Sequence, residues 1–123
     1  MITIQTQLIS SKNSKQILKH GDKRFIGKSF KAMSHQKELM QLLALYTNKF
    51  KSMIQDKEKP YKISFKIYRQ SKHRFDYTNI IQLLCDCMVK CGWLDDDHAD
   101  NLILVFVPYE VDKDNPRVII SVL

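Results

Sequence analysis

Asp76 stands immediately before a stretch of helical periodicity, and Asp95-Asp96-Asp97 stands just after it. Grouped carboxylates hold hard cations such as Mg²⁺, with waters and phosphate oxygens completing the shell. Hydrolysis of a phosphodiester needs an activated water and neutralised phosphate charge, and a carboxylate-held cation supplies both. Three consecutive aspartates repel one another unless a cation, a helix N-terminus or solvent offsets the charge. Such a turn is either a solvated loop or part of a cation site, and residue types alone leave both readings open. The other half of the chain has the opposite sign. Residues 1–75 carry 17 Lys/Arg against 4 Asp/Glu, and residues 76–123 carry 3 against 9. This asymmetry points to a nucleic-acid or membrane partner, or to a solvated surface that keeps the chain soluble. Lys12, Lys15, Lys19, Lys23, Lys28 and Lys31 suit a phosphate backbone better than a base-specific surface, because lysine is a flexible point charge.

Two other chemistries are set aside. The three cysteines, Cys85, Cys87 and Cys91, form no disulfide framework in a chain without a secretory leader. On a helix, Cys85 and Cys87 point about 200° apart, and no second ligand pair follows at a zinc spacing. They read as small core residues. The longest apolar run, residues 102–107, is far short of the roughly 20 residues that cross a bilayer. Residues 1–15 show no cleavable leader, so the expected location is the cytosol.

The elements that must position these groups follow from periodicity. The chain has 123 residues, which suits a single domain over residues 1–123. Ile2, Ile4 and Leu8 alternate loosely with polar residues, as in a first strand. Residues 10–31 are polar and basic, with a short hairpin expected from Arg24–Ile26 and Ser29–Phe30. Ser34 reads as an N-cap, and Leu39, Leu42, Leu43, Tyr46 and Phe50 recur at helical spacing, predicting one helix over residues 35–54. Tyr61, Ile63, Phe65, Ile67 and Arg69 alternate with Lys62, Ser64, Lys66 and Tyr68, as in a half-buried strand. A second helix opens at Thr78 or Asn79 and closes at Gly92. It places Ile80, Leu84, Cys87, Met88 and Cys91 on one face and Asn79, Gln82, Asp86 and Lys90 on the other. Residues 102–108 read as a buried strand and residues 117–122 as another. The expected fold is α/β in the α+β sense, a small mixed β-sheet with two main helices packed on it.

A helix of about 13 residues is roughly 20 Å long, so Asp76 and Asp97 sit near opposite ends. A symmetric dimer would bring them together, as would a loop over residues 93–100 folded back over the helix. The sequence does not choose.

Phe75-Asp76-Tyr77-Thr78-Asn79, followed by Gln82, Asp86, Gly92 and Asp96-Asp97, resembles the core motif of the RusA-like Holliday junction resolvases. That motif runs Asp-x-Asp-Asn, Lys, Asp, Gly and Asp-Asp, and the spacing matches without a gap. Lys12-Asn13-Ser14-Lys15-Gln16 looks like the Asn-containing loop after the family's first strand. Thr78 stands where the family has its second aspartate, a metal ligand, and Gln82 where it has a lysine that assists catalysis. The resemblance implies a RusA-like fold and a Mg²⁺-dependent, structure-selective endodeoxyribonuclease that resolves four-way DNA junctions as a homodimer. It implies Asp76 and Asp97 as metal ligands with Asp96 beside them, Asn79 as an orienting group and Asp86 as a supporting one. Lys12, Asn13, Lys15, Lys72 and Arg74 are the expected DNA contacts. It also implies a bacterial cytosol, with phage or prophage carriage. The alternative is a non-catalytic dimeric DNA-binding protein of the same fold.

Overall fold

The computed structural model describes residues 1–9, 15–20, 23–28 and 30–123, with the backbone alone described at 15–20, 23–28 and 30. The expected contacts Lys12 and Asn13 lie outside the described residues, and of Lys15 only the backbone is described.

Strand β4 (Tyr61–Arg69) is the centre of the molecule. Its alternation buries Ile63, Phe65 and Ile67 on one face, as a half-buried strand requires. It pairs antiparallel with β7 (Arg117–Val122), setting Phe65 opposite Ile120 and Ile67 opposite Val118. β7 in turn pairs antiparallel with β1 (Ile2–Ile4). On its other side β4 pairs in parallel with β5 (Leu102–Phe106) and, further along, with the two-residue β6 (Glu110–Val111). The sheet order is β1-β7-β4-β5. Ile2, Ile4, Val118 and Ile120 share the buried face with β4, and the helices cover it. A separate antiparallel pair, β2 (Lys15–His20) and β3 (Lys23–Lys28), sets Ile17 opposite Ile26 and Leu18 opposite Phe25.

Helix α1 spans Phe30–Ala44 and α2 spans Thr47–Ile54. Ala32, His35, Leu39 and Leu43 form the buried stripe of α1. Helix α3 (Tyr77–Lys90) is the crossover that lets β4 and β5 run parallel. It packs on α1 through small residues: the Cys87 thiol lies 3.9 Å from the Gln36 carbonyl, and the Cys91 thiol 3.5 Å from that of Met40. Cys85 and Cys87 are buried thiols outside any disulfide, as core residues should be. Gly92, at φ +80°, closes α3. The Trp93 N–H donates to the Met88 carbonyl and the Gly92 N–H to that of Val89, the paired bonds of a Schellman end.

The mixed sheet with helices on it agrees with expectation, and several elements differ. Three helices are present among the described residues, because the stretch read as one helix breaks at Leu45–Tyr46. The Leu43 carbonyl there accepts the Trp93 indole N–H at 3.1 Å and the Tyr46 N–H at 3.0 Å, which ends the helical ladder. α1 starts at Phe30, so Ser34 is inside it and caps nothing. The hairpin is β2–β3 rather than residues 24–26 with 29–30, since its register sets apolar residues opposite apolar ones. β1 ends at Ile4, although Leu8 is buried further on. β5 is not a buried strand. Ile103 and Leu104 are 39% and 36% exposed, because β5 lies at the sheet edge and only β4 flanks it among the described residues. No described helix is long and apolar enough to cross a membrane.

Candidate active site

The carboxyl ends of β4 and β5 and the N-terminus of α3 meet at one end of the sheet, where ligands of open α/β sheets bind. Four aromatic side chains fix this corner. The Phe75 ring meets Tyr77 edge-on at 5.2 Å and Tyr109 at 4.9 Å, and Tyr77 lies 5.0 Å from Phe106. The Tyr77 hydroxyl donates to the Val107 carbonyl at 3.4 Å and accepts the Tyr109 N–H at 3.0 Å. Residues 106–109 are thereby tied to the first turn of α3, and Asp76 between Phe75 and Tyr77 is held in place.

Asp76 is the N-cap of α3, at φ −106° and ψ 133°; its carbonyl accepts the Asn79 and Ile80 N–H groups. Its carboxylate makes no capping hydrogen bond. Instead Asn79 Nδ2 donates to Asp76 Oδ2 at 3.2 Å. Most N-cap aspartates turn their oxygens back onto the helix; this one is exposed and oriented by Asn79. Asp76 and Asn79 line a cavity of about 470 Å³ together with Lys31, Arg69, Arg74 and Phe75. The expected contact Arg74 is therefore beside Asp76. Lys72 lies in a neighbouring cavity of about 660 Å³ with Tyr68 and Tyr109.

The acidic turn lies elsewhere. Asp95 Oδ2 is held by Lys59 Nζ at 2.6 Å, and this lysine keeps the Asp95 carboxyl below its ordinary range. One of the three adjacent charges is thus offset. Asp96 and Asp97 are exposed. Asp96 Oδ1 accepts the Asp97 N–H at 2.8 Å, its carbonyl accepts Asn101 Nδ2 at 3.2 Å, and His98 Nε2 lies 3.9 Å from its carboxylate. Burial pushes the Cys85 thiol up to about 12, helped by the charges of Asp97 and Asp86. The loop over residues 93–100 leads to the amino end of β5, where Asn101 Nδ2 holds the Asp96 carbonyl and the Asn101 carbonyl accepts the Tyr61 N–H at 2.9 Å. The acidic turn follows the far end of α3, whose 14 residues span about 21 Å from the Asp76 end. The structure brings Asp76 to Asn79 and Arg74, and Asp96 to Asp97. Among the described residues of one protomer, no group of three His, Cys, Asp or Glu side chains could hold a metal ion. Thr78 and Gln82 are exposed on the first turns of α3.

Sequence reasoning missed Arg69, Phe75, Tyr77 and Tyr109 as parts of this corner. Two signals were available. Aromatic residues flank Asp76 on both sides, and Arg69 continues the inward-facing series of Ile63, Phe65 and Ile67 where a further apolar residue would be ordinary. The family model described as endodeoxyribonuclease RusA matches residues 10–123. No curated protein matches the chain.

Proposed function

Since the chain belongs to the RusA endodeoxyribonuclease family, we propose that it is a Mg²⁺-dependent nuclease that cuts four-way DNA junctions as a homodimer. The single observation that supports this best is Asp76: an exposed carboxylate, free of capping duty and oriented by Asn79, inside a cavity whose other charged residues, among those described, are Lys31, Arg69 and Arg74. A phosphodiester drawn in by the cations comes to rest beside the carboxylate.

The oxygen donors fit Mg²⁺ in kind, since this ion takes one or two carboxylates and fills its shell with waters and phosphate oxygens. Asp76 would hold it, and Asp97 with Asp96 beside it would complete the set. When bound, the ion supplies charge neutralisation at the phosphate and an acidified water. The protein's own groups do the positioning. Asn79 fixes the Asp76 carboxylate, Arg74 and Lys31 hold the phosphate, and Asp86 is a supporting group on α3. The water oxygen bonds to phosphorus, the bond to one ester oxygen breaks, and the products are a phosphate monoester and a hydroxyl. Thr78 offers a hydroxyl that can hold a ligating water, and Gln82 offers an uncharged hydrogen-bond donor.

A second protomer answers the separation of Asp76 from Asp97. In each protomer Asp76 lies at the carboxyl end of β5, beside Tyr77 and Phe106, and Asp96 lies at its amino end, held by Asn101. The outer edge of β5 is unpaired among the described residues and carries exposed Ile103 and Leu104. Exposed apolar edges of this kind pair with other strands. Antiparallel pairing of two β5 edges about a twofold axis buries those residues. It also sets the acidic turn of one protomer beside the Asp76 corner of the other. Two such sites match the twofold symmetry of a four-way junction.

Phosphate contacts release counterions, at about 0.9 log units of affinity per log unit of salt for each contact. Junction affinity, measured in EDTA across a salt titration, is expected to fall with a log–log slope of several units. A slope near zero removes DNA binding, and the nuclease reading with it.

A further inference from the structure

Arg69 is the last residue of β4, and the alternation that buries Ile63, Phe65 and Ile67 turns its side chain inward. Its guanidinium lies on the Phe75 ring, 4.3 Å from the centroid. No acidic side chain pairs with it among the described residues. Its Nη1 donates one long hydrogen bond, 3.5 Å, to the Leu8 carbonyl, and Nε is buried with no hydrogen-bond partner among the described residues. Burial lowers its pKa from the ordinary value, yet a guanidinium stays charged in proteins. A half-buried cation with unmet donors is costly for a fold. Its cavity also holds Arg74 and Lys31, so the surplus positive charge is concentrated there, with Asp76 beside it.

We propose that Arg69, held flat on Phe75, is a phosphodiester-binding residue that seats a DNA phosphate next to Asp76. A planar guanidinium presents parallel donors that match two phosphate oxygens, and stacking fixes the fork before the ligand arrives. Lys31 and Arg74 attract the backbone from exposed positions. Arg69 sets where the phosphate stops. Phe75 is thereby a positioning residue, acting through Arg69 and through its contacts with Tyr77 and Tyr109. The assignment deepens the nuclease reading, since the seat lies in the same cavity, but it concerns binding and is measured without cleavage.

The test uses the full chain in EDTA. Arg69→Met removes the charge while keeping an unbranched side chain. Junction affinity is expected to fall about 10- to 100-fold, the worth of hydrogen bonds to a charged group. The salt slope is expected to shrink by about 0.9. Arg69→Lys keeps the charge and loses the fork, so affinity should drop about tenfold with the slope retained. Thermal unfolding without DNA separates this role from a structural one: Arg69→Met should leave the midpoint unchanged or raised, because an unpaired cation has been removed from a half-buried place. Phe75→Leu should weaken binding in the same direction as Arg69→Lys. In a second arm, a thymidine dinucleotide with one phosphodiester is titrated at millimolar concentration into ¹⁵N-labelled protein. The Arg69 Nε–H resonance, identified by its loss in Arg69→Lys, should move. Wild-type affinity and slope in Arg69→Met, or an Nε–H resonance that stays still, overturns the proposal whether or not the protein cuts DNA. A wild-type protein that never cuts junctions, but whose dinucleotide and junction binding need Arg69, removes the nuclease reading and leaves this one standing.

Discussion

Asp76→Asn and Asp97→Asn should each abolish junction cleavage while leaving junction binding equal or tighter. Each change keeps the size of the side chain and removes one negative charge. If the carboxylate holds Mg²⁺ at the scissile phosphate, its loss removes several kcal/mol of transition-state stabilisation, on the order of a 10³-fold rate decrease or more. Binding moves the other way, because a negative charge beside phosphate repels it. Asp76 belongs to the cavity lined by Lys31, Arg69 and Arg74, so its removal leaves only cationic charge among the described lining residues. The fold should tolerate the change, since the Asp76 carboxylate makes no capping bond to α3. Single-turnover cleavage and an EDTA binding titration on the same preparations check both halves. Cleavage that survives either substitution at near wild-type rate would remove that residue from the site.

A larger contrast is expected when the two inactive chains are combined. In a twofold dimer with sites shared between protomers, one site of the Asp76→Asn/Asp97→Asn heterodimer carries both substitutions and the other carries neither. Heterodimers purified through two different tags should recover cutting of one strand at about half the wild-type rate. Both homodimers should stay inactive, a contrast on the order of 10³. If each site were built within one protomer, every site in the heterodimer would be damaged and no cutting would return. The expectation rests on Asp76 capping the start of α3 while the acidic turn follows its end, with Asp96 held by Asn101 at the amino end of β5, and on the open edge of β5 that joins the two ends across a twofold axis.

The parts of this arrangement that local periodicity determines were legible in the sequence. Period-two alternation identified β4, and Gly92 marked the end of α3, because a left-handed residue at that position favours glycine. The mixed sheet with helices on it followed from the order of elements. The break between α1 and α2 was not legible. The apolar series Leu39, Leu42, Leu43, Tyr46 and Phe50 continues through it, and its cause is a tertiary hydrogen bond from Trp93, fifty residues away. The packing of the Phe75 corner was hidden for a similar reason, since Tyr109 reaches it through the parallel pairing of β4 with β5 and β6. The apolar run of β5 reads the same in a central strand as at an edge; only the pairing shows which it is. Asp76 and Asp97 were identified as residues by the family motif. Their separation in the protomer came from the loop over residues 93–100, whose course depends on Asn101 and Lys59 holding Asp96 and Asp95.

Thr78 and Gln82 stand where the family motif has an aspartate and a lysine, so the activity of the unmodified chain decides the account. The direct measurement is incubation of wild-type protein with a synthetic four-way junction, labelled on each strand in turn, in Mg²⁺ and in EDTA. The account predicts paired cuts at symmetric positions in Mg²⁺ and none in EDTA. A junction that is bound yet intact in both Mg²⁺ and Mn²⁺ would contradict it and leave a dimeric DNA-binding protein of the same fold.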